Sequence, residues 1–394
     1  MTDYRVKGFA LAGGAAGIKP DRKKDLGLII SDTPASVAGV FTRNQIQAAP
    51  VVLDRRRVAG GVCRALIANS GVANCCTGEK GMADALAMTR AVADQLKIIP
   101  DQVLVASTGV IGPNLPMAKI EAAVPGLVAD ALPTGFPDFA EAIMTTDTVP
   151  KLVTRRMTLN GSPFTVTGVA KGSGMIHPDM ATMLAFICTD MGAAPRTLQE
   201  ILKTGVDATL NRISIDGDTS TNDTCLLFAN GQAGVSLQTA ADEACFGEVV
   251  HDVLGELARK LVADGEGATK QVRIDVRGAP SDTAAHVVAD TIARSALAKT
   301  AFFGEDANWG RVVAAVGRAG VPIDPEKLTV RFGDVLVFTN GSGTAAAEAE
   351  PVARVLKQPR FTITIDLGLG TAAVSVHTCD LSVEYVRINA DYRS

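Results

Sequence analysis

Two periodicities of apolar positions, alternation by twos and spacing by three and four, interleave along the chain without settling into separate halves. Between Gly8 and Pro50, apolar runs at Leu26 to Ile30 and Val37 to Phe41 are set apart by Gly, Asp and Pro. This predicts short strands joined by turns. From Gly81 to Leu96, the residues Ala83, Leu86, Ala87, Val92 and Leu96 share one face and predict an amphipathic helix, which Pro100 keeps from continuing. Val103 to Ala106 predicts a strand that empties into a turn at Ser107-Thr108-Gly109, a setting in which backbone N–H groups are presented to ligands.

Helical spacing returns at Leu198, Ile201, Leu202, Val206 and Leu210. It appears again from Phe246 through Val249, Val250, Val253, Leu254, Leu257 and Leu261, and ends at Gly265. From Gln271 onward, strand-like runs are expected at Val272 to Val276, Leu328 to Phe332, Val335 to Phe338, Phe361 to Ile365, Ala373 to His377 and Val383 to Ile388. They enclose a helical stretch around Ala285 to Lys299. The fold class expected is α/β, with an α+β arrangement in the C-terminal part from about residue 271.

Composition narrows the function more than the fold. A chain of 394 residues with 47% hydrophobic and 20% charged residues has ample core and is not globally disordered. Against 42 acidic residues stand 38 basic ones, with no run of one sign to follow a phosphate backbone, so nucleic acid is not an expected partner. No stretch reaches the ~18 apolar residues of a membrane span, and a cytoplasmic protein is expected. Seven scattered cysteines, of which only Cys75 and Cys76 are adjacent, read as buried free thiols. Four histidines far apart in sequence give no local metal-ligand spacing, and no metal is expected.

Most local motifs read as structure. Gly368-Leu369-Gly370 is followed by an alternating run at Ala372 to His377, so a hairpin turn is expected rather than a dinucleotide loop. No phosphate-loop or nucleophile-elbow pattern occurs. His177 precedes Pro178 and is expected to be a turn residue, since nothing nearby in sequence would orient its tautomer. The segment from Lys171 through Gly172, Ser173, Gly174 and Pro178 to Thr182 is different. A Gly-rich loop there leads to a Thr that opens a strongly apolar run, and an N-cap role for that Thr leaves the loop unexplained.

This segment is one of seven that occur in order along the chain. The others are Ser107 to Gly112, Met144 to Thr148, Ser214 to Thr224, Gly265 to Lys270, Gly304 to Arg311 and Ile388 to Tyr392. Together, from Gly8 to Ser394, they closely resemble the ornithine acetyltransferase (glutamate N-acetyltransferase) family of arginine biosynthesis. The resemblance implies layered sheets covered by helices, similar to the ornithine acetyltransferase and DmpA-like fold. It implies self-cleavage between Ala181 and Thr182, giving an α chain of residues 1–181 and a β chain of residues 182–394. Thr182 then becomes an N-terminal nucleophile.

The resemblance further implies an oxyanion hole at Thr108 and Gly109, and substrate contacts from Thr148, Lys171, Thr182, Glu266, Asn389 and Ser394. The implied substrates are N-acetylornithine and glutamate, with no cofactor; acetyl-CoA is a second acetyl donor in some members. Two copies of each chain would assemble. Two rival readings remain: an N-terminal-nucleophile amidohydrolase or aminopeptidase on a related fold, and an uncut amino-acid sensor. An inward-folded C-terminus is required if Ser394 lines a pocket.

Overall fold

The computed structural model describes residues 2–177, 183–348 and 350–391. They form a mixed α/β fold with two sheets covered by helices, in two compact units. The first unit is Met1–Gly172, Asp179–Asn211 and Thr219–Leu261; the second is Ser173–Pro178, Arg212–Asp218 and Val262–Ser394.

The first unit carries β1 (Phe9–Gly14), β2 (Leu26–Phe41), β3 (Val62–Val72), β4 (Val103–Val110), β5 (Lys151–Leu159), β6 (Ser162–Lys171) and β7 (Leu184–Thr189). The short β8 (Ile213–Ser214) falls in the second unit, and β9 (Thr224–Ala229) returns to the first. The sheet order is β4-β3-β2-β9-β7-β6-β5, with β1 also paired to β2. Its helices are α1 (Ala49–Val58), α2 (Gly78–Leu96), α3 (Met117–Ala129), α4 (Phe136–Ala142) and α5 (Pro195–Ala208), together with most of α6 (Ala240–Ala263).

Both faces of this sheet are buried. Leu66 and Ala68 of β3 and Leu104 and Ala106 of β4 face one core. Ala65, Ile67, Val103 and Val105 face another, beneath α2 and α3. Burial on both sides explains why β4 reads as a continuous apolar run rather than an alternating one.

In the second unit, β10 (Gln271–Ala279), β11 (Thr329–Phe332), β12 (Val335–Thr339), β13 (Ser342–Gly343), β14 (Arg360–Asp366) and β15 (Ala372–Cys379) join β8. The order is β13-β12-β11-β14-β10-β15-β8. Val272, Ile274 and Val276 of β10 are buried on one face, against α7 (Asp282–Ala293), α8 (Ala296–Phe303) and α9 (Trp309–Gly317). Shorter helices α10 (Glu350–Leu356) and α11 (Val383–Asp391) complete the unit.

Several expectations need correction. The two runs expected as short strands before Pro50 are one sixteen-residue strand, β2. Its first part pairs with β1 and β3 and its last with β9, while the polar stretch between lies in a register shift from Ile30 to Ala35. The helix α2 stands where expected, but its buried stripe is Ala85, Met88 and Val92, and Leu86 is exposed. Alanines fit either face, so the larger Met88 and Val92 set the phase.

Ser107-Thr108-Gly109 is the bulged end of β4 rather than a turn beyond it. The stretch Ala285 to Lys299 is two helices, because Ser295 caps a new one through the Ala298 N–H.

Gly368 to Gly370 is not a hairpin turn. β14 and β15 flank β10 on opposite sides, and the loop crosses the end of β10, where Leu369 N–H donates to the Gly278 carbonyl at 2.7 Å. A Cβ on Gly370 would lie 2.3 Å from the Ala279 oxygen, so only glycine passes.

Val383 to Ile388 is helical, not a strand. Ser382 Oγ accepts the Tyr385 N–H at 3.2 Å and donates to the Gly267 carbonyl at 2.7 Å, and this cap overrides the β-branched run.

Candidate active site

In the first unit, the expected residues come together at the ends of β4 and β6. Gly109 has φ of +131°, and a Cβ there would lie 2.3 Å from the Gly71 carbonyl carbon, so the close approach of β4 to β3 requires glycine. Just before it, Ser107 Oγ donates to Asn69 Oδ1 at 2.6 Å, fixing the strand end from within. Lys171, the last residue of β6, is buried, and its Nζ donates to Thr108 Oγ1 at 3.2 Å.

Asp147 lies beneath this corner. Its Oδ1 accepts from Lys151 Nζ at 2.6 Å and from Gly172 N–H at 2.7 Å, while Oδ2 accepts the Thr145 N–H at 3.0 Å. Burial pushes the Asp147 carboxyl up, but Lys171, Lys151 and the Gly172 N–H outweigh it and bring it down to about 2. Asp147 is therefore a charged acceptor that orders the loop carrying the exposed Thr148. Lys19 adds a further cation, with Nζ donating to the carbonyls of Met144 at 2.6 Å and Lys24 at 2.9 Å. Burial, helped by Lys171 and opposed by Asp25, brings the Lys19 ammonium down to about 8.

Thr182 and Ala181 lie outside the described residues, but the chain on the far side of Thr182 is fixed. Met183 donates its N–H to Asp223 Oδ1 at 3.0 Å, and its carbonyl accepts from Thr224 N–H at 3.1 Å. From there β7 runs parallel to β9 in the register Leu184↔Thr224 and antiparallel to β6 in the register Leu184↔Lys171. The first residue of β7 thus pairs with the residue that ends β6, Lys171.

The second unit gathers Glu266 and Asn389. Glu266 follows α6 in a Gly-flanked turn, is buried, and gives its N–H to the Ser173 carbonyl at 2.8 Å. Asn389, on α11, donates from Nδ2 to Glu266 Oε2 at 2.7 Å and to the Tyr385 carbonyl at 3.0 Å. The Gly-rich loop is shaped around this carboxylate, since a Cβ on Gly174 would meet Glu266 Cδ at 2.4 Å.

Asp216 holds the same loop, accepting the Met175 N–H at 2.5 Å and the Ile176 N–H at 2.8 Å. Burial raises the Asp216 carboxyl, against these two donors. Ser394 lies outside the described residues.

His177 Nδ1 lies 3.5 Å from Asp290 Oδ1 of α7, within ion-pair reach but without a hydrogen bond between them. Cys75 is buried and Cys76 exposed, their sulfurs 3.8 Å apart and unbridged. Among the described residues, no group of three or more His, Cys, Asp or Glu is gathered that could hold a metal ion. No helix among them is long and apolar enough to cross a membrane.

Sequence signals existed for Thr108, Gly109, Lys171, Glu266 and Asn389, each within one of the seven segments. Asp147 also stands in one of them, Met144 to Thr148, without being singled out there, whereas Lys151 and Lys19 stand in none. Chemically, the first unit offers a cation and a hydroxyl beside a strand end, suited to a carboxylate or a developing oxyanion. The second offers a carboxylate already holding an amide, suited to an ammonium group.

A family model described as the ArgJ family matches residues 10–394. The chain is 47% identical over 391 residues to the arginine biosynthesis bifunctional protein ArgJ of Geobacter sulfurreducens, a match covering 99% of this chain and 100% of that protein. Identity to the protein of the same name from Syntrophotalea carbinolica is also 47%, over 392 residues, with 99% and 100% covered. Among solved structures, the ornithine acetyltransferase of Mycobacterium tuberculosis complexed with ornithine is 42% identical. That match covers 45% of this chain and 97% of that one, with a TM-score of 0.43.

Proposed function

The chain belongs to the ArgJ family of bifunctional arginine-biosynthesis acyltransferases, and from that premise we propose that it moves the acetyl group of N-acetylornithine to glutamate through an ester on Thr182. The observation that carries this reading is the position of β7. It begins at Leu184, two residues after Thr182, and pairs with the strand whose end brings Lys171 to Thr108.

A Thr hydroxyl is a weak nucleophile near neutral pH and needs a base. Cleavage of the Ala181–Thr182 bond supplies one, because the freed α-amino group has a reference pKa of about 7.7–8.0. In the cut, Thr182 Oγ attacks the Ala181 carbonyl, the C–N bond breaks, and water hydrolyses the resulting ester. The pieces are residues 1–181 and 182–394, with two copies of each in the assembled enzyme.

In the first half of transfer, Oγ attacks the acetyl carbonyl of N-acetylornithine. The amide C–N bond breaks, ornithine leaves with the proton on its amine, and acetyl-Thr182 remains. In the second half, the glutamate amine attacks that ester and the C–O bond breaks, restoring the hydroxyl. Thr108 and Gly109 stabilise the oxyanion in both halves. Lys171 anchors the carboxylate that both substrates share, as a point charge.

Thr148, Glu266, Asn389 and Ser394 complete the substrate contacts, Glu266 receiving an ammonium group. No cofactor takes part, and acetyl-CoA serves as an alternative acetyl donor consistent with the bifunctional name of the relatives. Water is the competing nucleophile, and its exclusion separates transfer from hydrolysis.

The test is a denaturing gel of the parent and Thr182→Ala, with acetylglutamate and free acetate measured from N-acetylornithine plus glutamate, and again from acetyl-CoA plus glutamate. Two bands and acetylglutamate in the parent, with one band and no product in the variant, are expected. Two bands in Thr182→Ala, or acetate as the main product of the parent, would overturn the reading.

A further inference from the structure

The segment Ser214 to Thr224 contains two buried polar side chains that the reaction above leaves unused. Asn222 sits where three strand ends meet. Its Nδ2 donates to the Ala73 carbonyl at 2.6 Å, just past β3, and to the Ser107 carbonyl at 2.8 Å, immediately before Thr108. Its Oδ1 accepts from Thr221 Oγ1 at 2.6 Å, so the orientation of the amide is fixed. Next in sequence, Asp223 accepts the Met183 N–H on Oδ1, while Oδ2 has no hydrogen-bond partner among the described residues.

We propose that Asn222 and Asp223 are positioning residues of the acetyl transfer: Asn222 clamps the end of β4 that carries Thr108 and Gly109, and Asp223 holds the amide that follows residue 182, so that one dipeptide sets the oxyanion donors against the nucleophile. The proposal rests on the Thr182 reading. Neither side chain needs to touch substrate. Their effect passes through Ser107 on one side and Met183 on the other, in one continuous hydrogen-bonded unit.

Asp223 is a buried carboxyl. Burial raises its carboxyl well above the ordinary carboxylate range, against the pull of the Met183 N–H and Lys171, with the Ser220 and Thr42 hydroxyls beside it. An amide in the same place would offer the same acceptor to the Met183 N–H.

The test compares Asn222→Ala, Asn222→Asp, Asp223→Ala and Asp223→Asn with the parent, by the rate of self-cleavage and by kcat and KM for transfer per processed chain. Asn222→Ala, Asn222→Asp and Asp223→Ala lower kcat by about ten- to a hundredfold while KM moves by less than about threefold, the pattern of a misplaced reacting group. Asn222→Asp belongs with the losses because a carboxylate cannot donate to either carbonyl. Asp223→Asn recovers at least about tenfold over Asp223→Ala, and its kcat-against-pH midpoints coincide with the parent's.

Parental kcat in Asn222→Asp or in the alanine variants overturns the proposal. So does an Asp223→Asn protein as impaired as Asp223→Ala, since Asn keeps the acceptor that holds the Met183 N–H. If Asp223→Ala does not fold, the Asn222 variants and the pH midpoints of Asp223→Asn decide. Thr182→Ala, measured alongside, keeps the two readings apart. Transfer by that variant removes the nucleophile assignment, whereas an inert Thr182→Ala beside fully active Asn222 variants removes the positioning pair alone.

Discussion

The Lys171 ammonium lies 3.2 Å from Thr108 Oγ1, so the residue assigned to the substrate carboxylate also touches the strand end assigned to the oxyanion. A single cation thus borders both the group that binds and the group that reacts. Lys171→Met removes the charge and keeps the stem. Contacts to charged groups are worth about 1.5–3 kcal/mol, so KM for both N-acetylornithine and glutamate is expected to rise roughly ten- to a hundredfold in steady-state kinetics. A change confined to one substrate would break the shared-anchor assignment.

Gly109→Ala places a Cβ 2.3 Å from the Gly71 carbonyl carbon at a φ of +131°, where no flexible side chain can yield. The β3–β4 register must open. A loss of stability of about 2 kcal/mol or more is expected, with transfer reduced at least about a hundredfold. Thermal melting and kcat check the two separately, and a variant that melts and turns over like the parent would show that the approach is not required.

Asp147 gives a pH dependence of definite sign. Its carboxyl is held at about 2 in the fold, against an ordinary value of 3.8, so folding favours the ionised form. The stabilisation is complete above about pH 4 and is lost as the pH falls through the folded value, on the order of 2 kcal/mol in all. Urea unfolding of the parent and Asp147→Asn should show a stability gap at pH 5 that narrows steadily toward pH 2.5. A gap that stays constant would mean that the carboxylate is not held low.

Ser382→Ala removes the cap that makes Val383 to Asp391 a helix. The cost expected from an N-cap is about 1 kcal/mol, read by chemical denaturation. Because Asn389 reaches Glu266 from that helix, KM for at least one substrate should rise with it. Lost stability with both KM values unchanged would remove Asn389 from the substrate contacts.

How far these features were legible in the sequence depended on how local their causes are. β4 could be read from Val103 to Ala106 alone, since burial on both faces leaves an unbroken apolar run. α6 could be read because its apolar period persists from Phe246 to Leu261, for about four turns. α11 could not, because Val383, Val386 and Ile388 suit a strand and the deciding hydrogen bond ties Ser382 to Gly267, a residue 115 positions away.

The loop at Gly368 misled for a similar reason: two strand-like runs a few residues apart suggest a hairpin until β10 is seen to lie between them. The site divided along the same line. Gly109, Lys171 and Glu266 stand in segments distinctive enough to recognise. The partners that hold them are another matter. Asn222 and Asp147 stand in such segments too, but their partners lie far along the chain, 149 residues away at Ala73 and 25 away at Gly172, so the segments mark the residues without revealing what they hold.

The strand pairings of the first sheet bear on what severing the backbone after residue 181 can do. β6 lies before that point and β7 after it, and they are joined from Val166↔Thr189 to Lys171↔Leu184. β2 and β9 are joined across the same divide from Ser36↔Ala229 to Phe41↔Thr224. The two fragments would therefore be laced together like the halves of a zip, each supplying teeth the other needs. Maturation would pass unnoticed on a sizing column and become plain only once a detergent undoes the lacing, so neither fragment is a promising candidate for expression by itself.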